Sequence, residues 1–343
     1  MYLHYAFAAQ SFGSDPSSEG GDLNAYLRRR KGLSGYVPLL LVLVLFVSST
    51  TVGAKTASFI IIDNETGCIL EGKNRDDKLP IGGLTNVALA MVTLDWAKLS
   101  NTSLDMIAEV PPNASPQGIT NPLGLQSGDR ITLRDLLYLA LLASDSEAAF
   151  TIANAVGQKL PNPQQLDAVG NFVSQMNALA AALQMKHTLF LNPNGLAMPP
   201  RSAQPYSTVA DLARLTRYAY SKSGLSFYVS QKSREIHIER AGVSIAQDIK
   251  NTNTLLGSEL IDGVKTARSV QTGECIIITS ARAPEVRREG TTVYTTPRRI
   301  ITVLLGSEDR NGDGLNLNRR GWMLYNDWAA AGRPERDHRF LSQ

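Results

Sequence analysis

Few residues in this chain are typed and spaced for chemistry, and most of those read more simply as structure. The run Asp309-Arg310-Asn311-Gly312-Asp313-Gly314 begins like a calcium loop, which needs a bidentate glutamate at its twelfth position. Arg320 stands there, so a solvent-exposed turn is expected. His4, His187, His237 and His338 lack the close spacing of metal ligands, and no metal or cofactor is expected. Cys68 and Cys275 lie in apolar, strand-like runs that favour small buried thiols, although an exported chain permits a bridge. Asn192-Pro193-Asn194-Gly195-Leu196 could line a site, but its composition makes a turn without functional help. Two stretches are less easily set aside. Ser144-Asp145-Ser146 is a polar break within an apolar helical region, and Leu79 to Val92, "LPIGGLTNVALAMV", enters an apolar helix through two glycines and an asparagine. Glycine is tolerated at a helix entry, so conformation alone accounts for the second.

The elements that must carry these residues follow from apolar periodicity. Ala57 to Gly72 reads as a hairpin turning at Asn64 to Gly67. After Pro80 comes a helix apolar on nearly every face through Trp96, which implies burial at the centre of a domain. Ile131 to Gly157 is helical on both sides of the Ser144 break, Asn162 to Met185 continues the helical block, and Ser207 to Ser221 is a capped amphipathic helix. The segments "GVKTARSV", "ECIIITSARA" and "RRIITVLLGSED" are β-rich, and "LNRRGWMLYNDWAAAG" closes with a helix. Strands at both ends with helices between them predict an α+β domain, an antiparallel sheet flanked by helices, joining both ends of the chain.

At 343 residues, with 43% apolar and 19% charged side chains, the chain can bury a full core and is not compositionally disordered. Of its net charge of +3, residues 1–54 contribute about one unit, and the remainder is too weakly basic to suggest a nucleic-acid partner. The arginine pairs Arg287-Arg288, Arg298-Arg299 and Arg319-Arg320 are expected as solvated loop and strand-end charges. "RRRKGLSGYVPLLLVLVLFVSSTTVGA" has the basic cluster, apolar run and small residues of an export signal ending at Ala54. Its apolar run is short for a membrane span, which needs about 20 residues. If uncleaved it would be the only membrane contact. The expected organisation is therefore 1–54 as polar lead and signal or anchor, 55–334 as one folded domain, and 335–343 as a tail.

In their order along the chain, "ASFIIIDNETGCIL", "LLASDSEAAFTIANAVG", "HTLFLNPNGL" with "YSTVADLARL", "NTNTLL", "DGVKTA" and "ECIIITSARA" resemble the serine-type D-alanyl-D-alanine carboxypeptidases. These are the low-molecular-mass penicillin-binding proteins of bacterial cell-wall maturation. The resemblance implies a penicillin-binding, β-lactamase-like fold, a location in the periplasm or cell envelope, and peptidoglycan stem peptides as ligand. Such enzymes place Ser-x-x-Lys at the start of a buried helix, a Ser-x-Asn loop and a Lys-Thr-Gly strand around one cleft. The first supplies the nucleophile and its base, the second a hydroxyl and an amide, and the third binds the substrate carboxylate.

Laid on this chain, Ser-x-x-Lys falls on Gly83-Leu84-Thr85-Asn86, Ser-x-Asn on Ser144-Asp145-Ser146, and Lys-Thr-Gly on Lys265-Thr266-Ala267. Gly83 has no nucleophile and Asn86 no titratable amine. Ser146 lacks the amide, and Ala267 adds a methyl. Ser144, Lys265 and Thr266 remain as groove residues, and no catalytic residue is assigned. The expectation is a family member that has lost its acylation chemistry. An active enzyme with Ser144 as nucleophile and Lys265 as base, and a periplasmic scaffold with a vestigial cleft, are the alternatives. Thr85 is expected to face away from the site.

Overall fold

The computed structural model describes residues 57–112, 121–222, 224–334 and 341; the expected export segment lies outside them. The chain opens with two antiparallel strands, β1 (Ser58–Asp63) and β2 (Ile69–Lys73), turned by Asn64 to Gly67. It closes with β7 (Ile261–Ser269), β8 (Gly273–Glu289) and β9 (Thr292–Ser307). These five form one antiparallel sheet in the order β2-β1-β9-β8-β7, so that β1 and β9 join the two ends of the domain as the strand pattern predicts. β7 is an edge strand.

The central strands read as continuous apolar runs because both of their faces are covered. Ile60, Ile62, Ile277, Ile301, Val303 and Leu305 face the main core, while Ile276, Ile278, Ile300 and Leu304 belong to two smaller clusters on the opposite face. That opposite face is covered by α7 (Arg310–Ala330). A Cβ at Gly321 would lie 2.8 Å from side-chain carbons of Ile61 and Ile300, and one at Gly314 would lie 2.9 Å from Ile278, so glycine lets this helix seat closely on the sheet.

The main core lies among the helices of the other face. α1 (Asn86–Leu99) is buried from Asn86 through Thr93, which is why its sequence shows almost no polar face. Around it pack α3 (Ser146–Gly157), α4 (Ala168–Ala182) and α5 (Val209–Ser221). α5 begins at the Thr208 cap, whose side chain accepts from the Asp211 backbone N–H. The expected antiparallel sheet flanked by helices around a buried central helix is present.

A second sheet was not expected. β3 (Ile107–Glu109), β4 (Arg130–Thr132), β5 (Ser233–Arg240) and β6 (Val243–Lys250) form a four-stranded antiparallel sheet in chain order. Two further expectations need correction. Asp309 to Gly314 is not an exposed turn: Asp309 caps α7, accepting from the Asn311 and Gly312 N–H groups, and Gly314 is buried against the sheet. Of the arginine pairs expected as solvated loop or strand-end charges, Arg287-Arg288 are exposed at the end of β8 and Arg319-Arg320 are exposed on α7, but Arg298-Arg299 lie half-buried within β9, with Arg299 ion-paired to Asp262 at 2.8 Å. Cys68 and Cys275 are both buried, in different clusters. Leu341 is buried in the main core, with its N–H donating to Gly67 O. Among the described residues no helix is long and apolar enough to cross a membrane.

Candidate functional site

The α-helical geometry of α1 begins only at Asn86. Gly82–Thr85 form a preceding 3-10 turn, so Gly83 is not in the α-helix itself. Residues three apart eclipse in such a turn, which keeps Gly83 and Asn86 on one side. Both line a cleft of about 1230 Å³, and Thr85 does not. A Cβ built on Gly83 would meet Thr266 O at 3.6 Å, Ser144 Oγ at 3.8 Å and Ala267 Cβ at 3.9 Å. These are ordinary contacts, so the backbone at Gly83 has room for a Cβ and carries none.

Ser144 reaches the cleft through an irregularity. α2 (Leu133–Tyr138) runs into a π turn over Leu139–Ala143, and the chain leaves it at Ser144 with φ 57° and ψ 37°. That left-handed conformation costs a residue other than glycine roughly 1–2 kcal/mol, and such strain is concentrated at functional positions. Asp145 then caps α3, its Oδ1 accepting from the Ala148 N–H at 2.9 Å. Burial pushes the Asp145 carboxyl up to about 6. Ser146, the first residue of α3, is buried and lines the cleft.

The edge strand β7 supplies the facing wall. The Lys265 side chain is buried, and its Nζ donates to Ser144 Oγ in a close contact and to Thr266 O at 3.0 Å. Burial, and secondarily the Arg310 guanidinium, bring the lysine down to about 7. Thr266 Oγ1 lies 2.7 Å from Thr252 Oγ1, which itself donates to Leu142 O at 3.1 Å. The Ala267 methyl faces the Gly82-Gly83 turn, 3.5 Å from where a Cβ on Gly82 would stand.

The structure therefore brings together every position laid out by the motif order: Gly83, Asn86, Ser144, Ser146, Lys265, Thr266 and Ala267. It also adds two contributions that the sequence reading did not assign. Arg310, at the start of α7, lines the cleft and approaches Ala267 O at 3.5 Å and Glu274 at 3.9 Å. The Asn192 to Leu196 turn lines it as well, and is more than a connection. A Cβ on Gly195 would fall 2.0 Å from Gly82 O and 2.3 Å from Thr85 Oγ1, so this glycine lets the turn lie against the 3-10 turn. Among the described residues lining the cleft, Lys78, Arg268 and Arg310 are cationic and none is acidic. Arg268 and Arg310 share the Glu274 carboxylate at 3.3 and 3.9 Å, which leaves a wall of net positive charge complementary to an anionic ligand.

A family model described as D-alanyl-D-alanine carboxypeptidase matches residues 46–288. A D-alanyl-D-alanine endopeptidase of Pseudomonas aeruginosa is 29% identical over 225 residues, 65% of this chain and 66% of that protein. A Streptomyces D-alanyl-D-alanine carboxypeptidase is 28% identical, covering 64% of this chain and 75% of its own length. A Mycobacterium tuberculosis D-alanyl-D-alanine carboxypeptidase is 33% identical over 47% of this chain and 50% of that one. The match thus spans from half to three quarters of these relatives. Among solved structures, a Streptomyces DD-transpeptidase superposes with a TM-score of 0.65 at 25% identity, over 77% of this chain and 96% of that one. A Listeria monocytogenes penicillin-binding protein with ampicillin bound shares the fold, with a TM-score of 0.61 at 23% identity over 77% of this chain and 96% of that one. The fold is that of the penicillin-binding proteins, and the chain belongs to the D-alanyl-D-alanine carboxypeptidase family.

Proposed function

We propose that this chain is a non-acylating member of its family, an exported protein of the bacterial cell envelope whose cleft holds peptidoglycan stem peptides without covalent chemistry. The observation that carries the reading is the bare backbone at Gly83. A Cβ there would make only ordinary contacts with Ser144 Oγ, Thr266 O and Ala267 Cβ, and residue 83 carries no side chain. Asn86, three residues on, supplies no amine to activate a hydroxyl. In an unrelated serine hydrolase, loss of the nucleophile alone lowers turnover by about 10⁶-fold.

The cationic lining supports an anionic ligand, and Thr266 with Arg310 offers a hydroxyl and a guanidinium for a terminal carboxylate. The cleft volume of about 1230 Å³ is ample for a short peptide. Envelope location follows from the same ligand, since D-alanyl-D-alanine termini belong to peptidoglycan.

One observation favours a second reading. The Ser144 hydroxyl receives a hydrogen bond from Lys265, an amine brought down to about 7 and so substantially neutral at physiological pH. A neutral amine can take a serine proton. Against it stands position: Ser144 Oγ is 3.8 Å from where a Cβ on residue 83 would be, and displacements of about 1 Å cost on the order of 100-fold.

Penicillin labelling and D-alanine release separate the two. The non-acylating reading expects neither from the native chain, and labelling from the Gly83→Ser, Asn86→Lys double variant. D-alanine release by the native chain, abolished in Ser144→Ala, would establish the second reading instead.

A further inference from the structure

The cleft is larger than a D-alanyl-D-alanine terminus needs. Its volume of about 1230 Å³ exceeds the roughly 300–1000 Å³ of pockets that hold a whole drug-sized ligand. Part of its wall is a lip over residues 195–206, whose chemistry differs from that of β7. The lip starts where Gly195 seats against Gly82 O and ends at Tyr206, beside the bridge between Leu79 and Ser207.

Two side-chain amides fold this lip. Asn192 Nδ2 donates to Leu196 O at 2.7 Å and to Met198 Sδ at 3.5 Å, and Asn192 Oδ1 accepts from the Gly195 N–H at 2.7 Å. Gln204 Oε1 accepts from the Met198 N–H at 2.9 Å, and its Nε2 donates to the Met198 and Ser202 carbonyls at 3.1 and 3.2 Å. With both amides engaged on the lip itself, the surface that Leu196, Met198, Pro199, Pro205 and Tyr206 give to the cleft is largely apolar.

Lys78 stands at the Tyr206 end. Its Nζ lies 4.9 Å from the centroid of the Tyr206 ring, a cation–π contact that holds the amine at the edge of the lip. The side chain is exposed and lines the cleft. Arg268 and Arg310 share Glu274, whereas among the described residues no carboxylate pairs with Lys78. Its sequence neighbours Asp76 and Asp77 are exposed and do not line the cleft. An apolar strip that ends in an unpaired cation is complementary to an aliphatic chain that ends in an anion.

We propose that the lip is a side-chain subsite, in which the apolar strip holds the methylenes, and Lys78 the carboxylate, of an acidic aliphatic residue upstream of the D-alanyl-D-alanine terminus. The terminal carboxylate is left to Thr266 and Arg310. This rests on the non-covalent groove described above, and it narrows the ligand to peptides whose upstream side chain ends in a carboxylate.

The test is calorimetric titration of the full chain with three N-acetylated tripeptides that end in D-alanyl-D-alanine and differ in the first residue. That residue is L-2-aminopimelate, with a carboxylate on four methylenes, or its side-chain carboxamide, or alanine. The native chain is expected to bind the carboxylate about 3- to 5-fold more tightly than the carboxamide, the scale of an exposed ion pair, and to lose that preference in about 1 M salt. The carboxamide should bind about 10-fold more tightly than alanine through its methylenes. In Lys78→Met, an exposed position whose change leaves the core untouched, the carboxylate falls to the level of the carboxamide. Equal binding of the three probes by the native chain would leave the groove standing and overturn the subsite. Equal binding of the carboxamide and alanine would remove the apolar strip, and with it the subsite. A carboxylate preference that persists in Lys78→Met would assign it to Arg268 or Arg310 and also overturn the proposal. Binding of none of the probes would overturn the groove and the subsite together.

Discussion

Replacing Lys265 by methionine tests the electrostatics of the cleft floor. The lysine is 1% exposed, and burial brings it down to about 7 in the folded chain from an ordinary value of 10.5. Between those two values the unfolded chain holds the extra proton, so this group makes stability rise with pH across the window. Below about pH 7 both states are protonated, and the full cost of a buried ammonium is present. At about 1.4 kcal/mol per pH unit, the fall to about 7 amounts to at most about 5 kcal/mol. Methionine removes that cost, but it leaves Ser144 Oγ and Thr266 O without their donor, a loss of about 1–3 kcal/mol. Lys265→Met is therefore expected to be more stable than the native chain by roughly 2–4 kcal/mol at pH 6 and less stable near pH 10.5. Urea unfolding of both proteins across this range measures the difference, with other titrating groups cancelling. A difference that does not vary with pH, or one that favours the native chain as pH falls, would refute the reasoning.

Asp145→Asn keeps the helix cap but cannot ionise. The native carboxyl is raised to about 6, so the folded chain holds its proton more tightly and loses stability as pH rises from about 4 to about 6. The advantage of the variant in urea unfolding should grow by roughly 3 kcal/mol over that interval, and a constant difference would contradict the assignment. Gly195→Ala would place a Cβ 2.0 Å from Gly82 O at a φ of +73°. It is expected to lower Tm by roughly 6–12 °C in thermal unfolding, for a loss of about 3 kcal/mol. Arg310→Gln should weaken calorimetric binding of a D-alanyl-D-alanine peptide with a free carboxylate by about 10-fold and leave the carboxamide form unchanged. Equal losses for the two forms would remove Arg310 from carboxylate recognition.

The sequence makes the five-stranded sheet and the central helix legible because burial on both sides leaves unbroken apolar runs. "ECIIITSA" and "NVALAMV" need no partner information to be read as interior segments. The second sheet lacks that signal. β3 and β4 are three residues each, and β6 exposes most of its side chains, so neither length nor alternation marks them. The start of α7 is hidden for a different reason. Asp309 to Gly314 has the composition of a turn, yet Gly314 is there for close packing on Ile278.

In the site, Ser144 and Lys265 stand 121 residues apart, and only the order of the family motifs brings them together before the fold is known. Arg310 was not legible, and the Asn192 to Leu196 stretch only as one that could line a site, because Arg310 in an Asp-Arg-Asn-Gly run and asparagine beside proline and glycine are accounted for by local turn chemistry. What singles them out is the cleft that they line.

The central claim is that this cleft is intact but lacks a nucleophile. Its most direct test is fluorescent penicillin labelling of the native chain beside the Gly83→Ser, Asn86→Lys double variant under identical conditions. The account predicts no covalent adduct on the native chain and an adduct at residue 83 of the double variant, located by peptide mass spectrometry. A covalent adduct on the native chain, at Ser144 or any other residue, would contradict it.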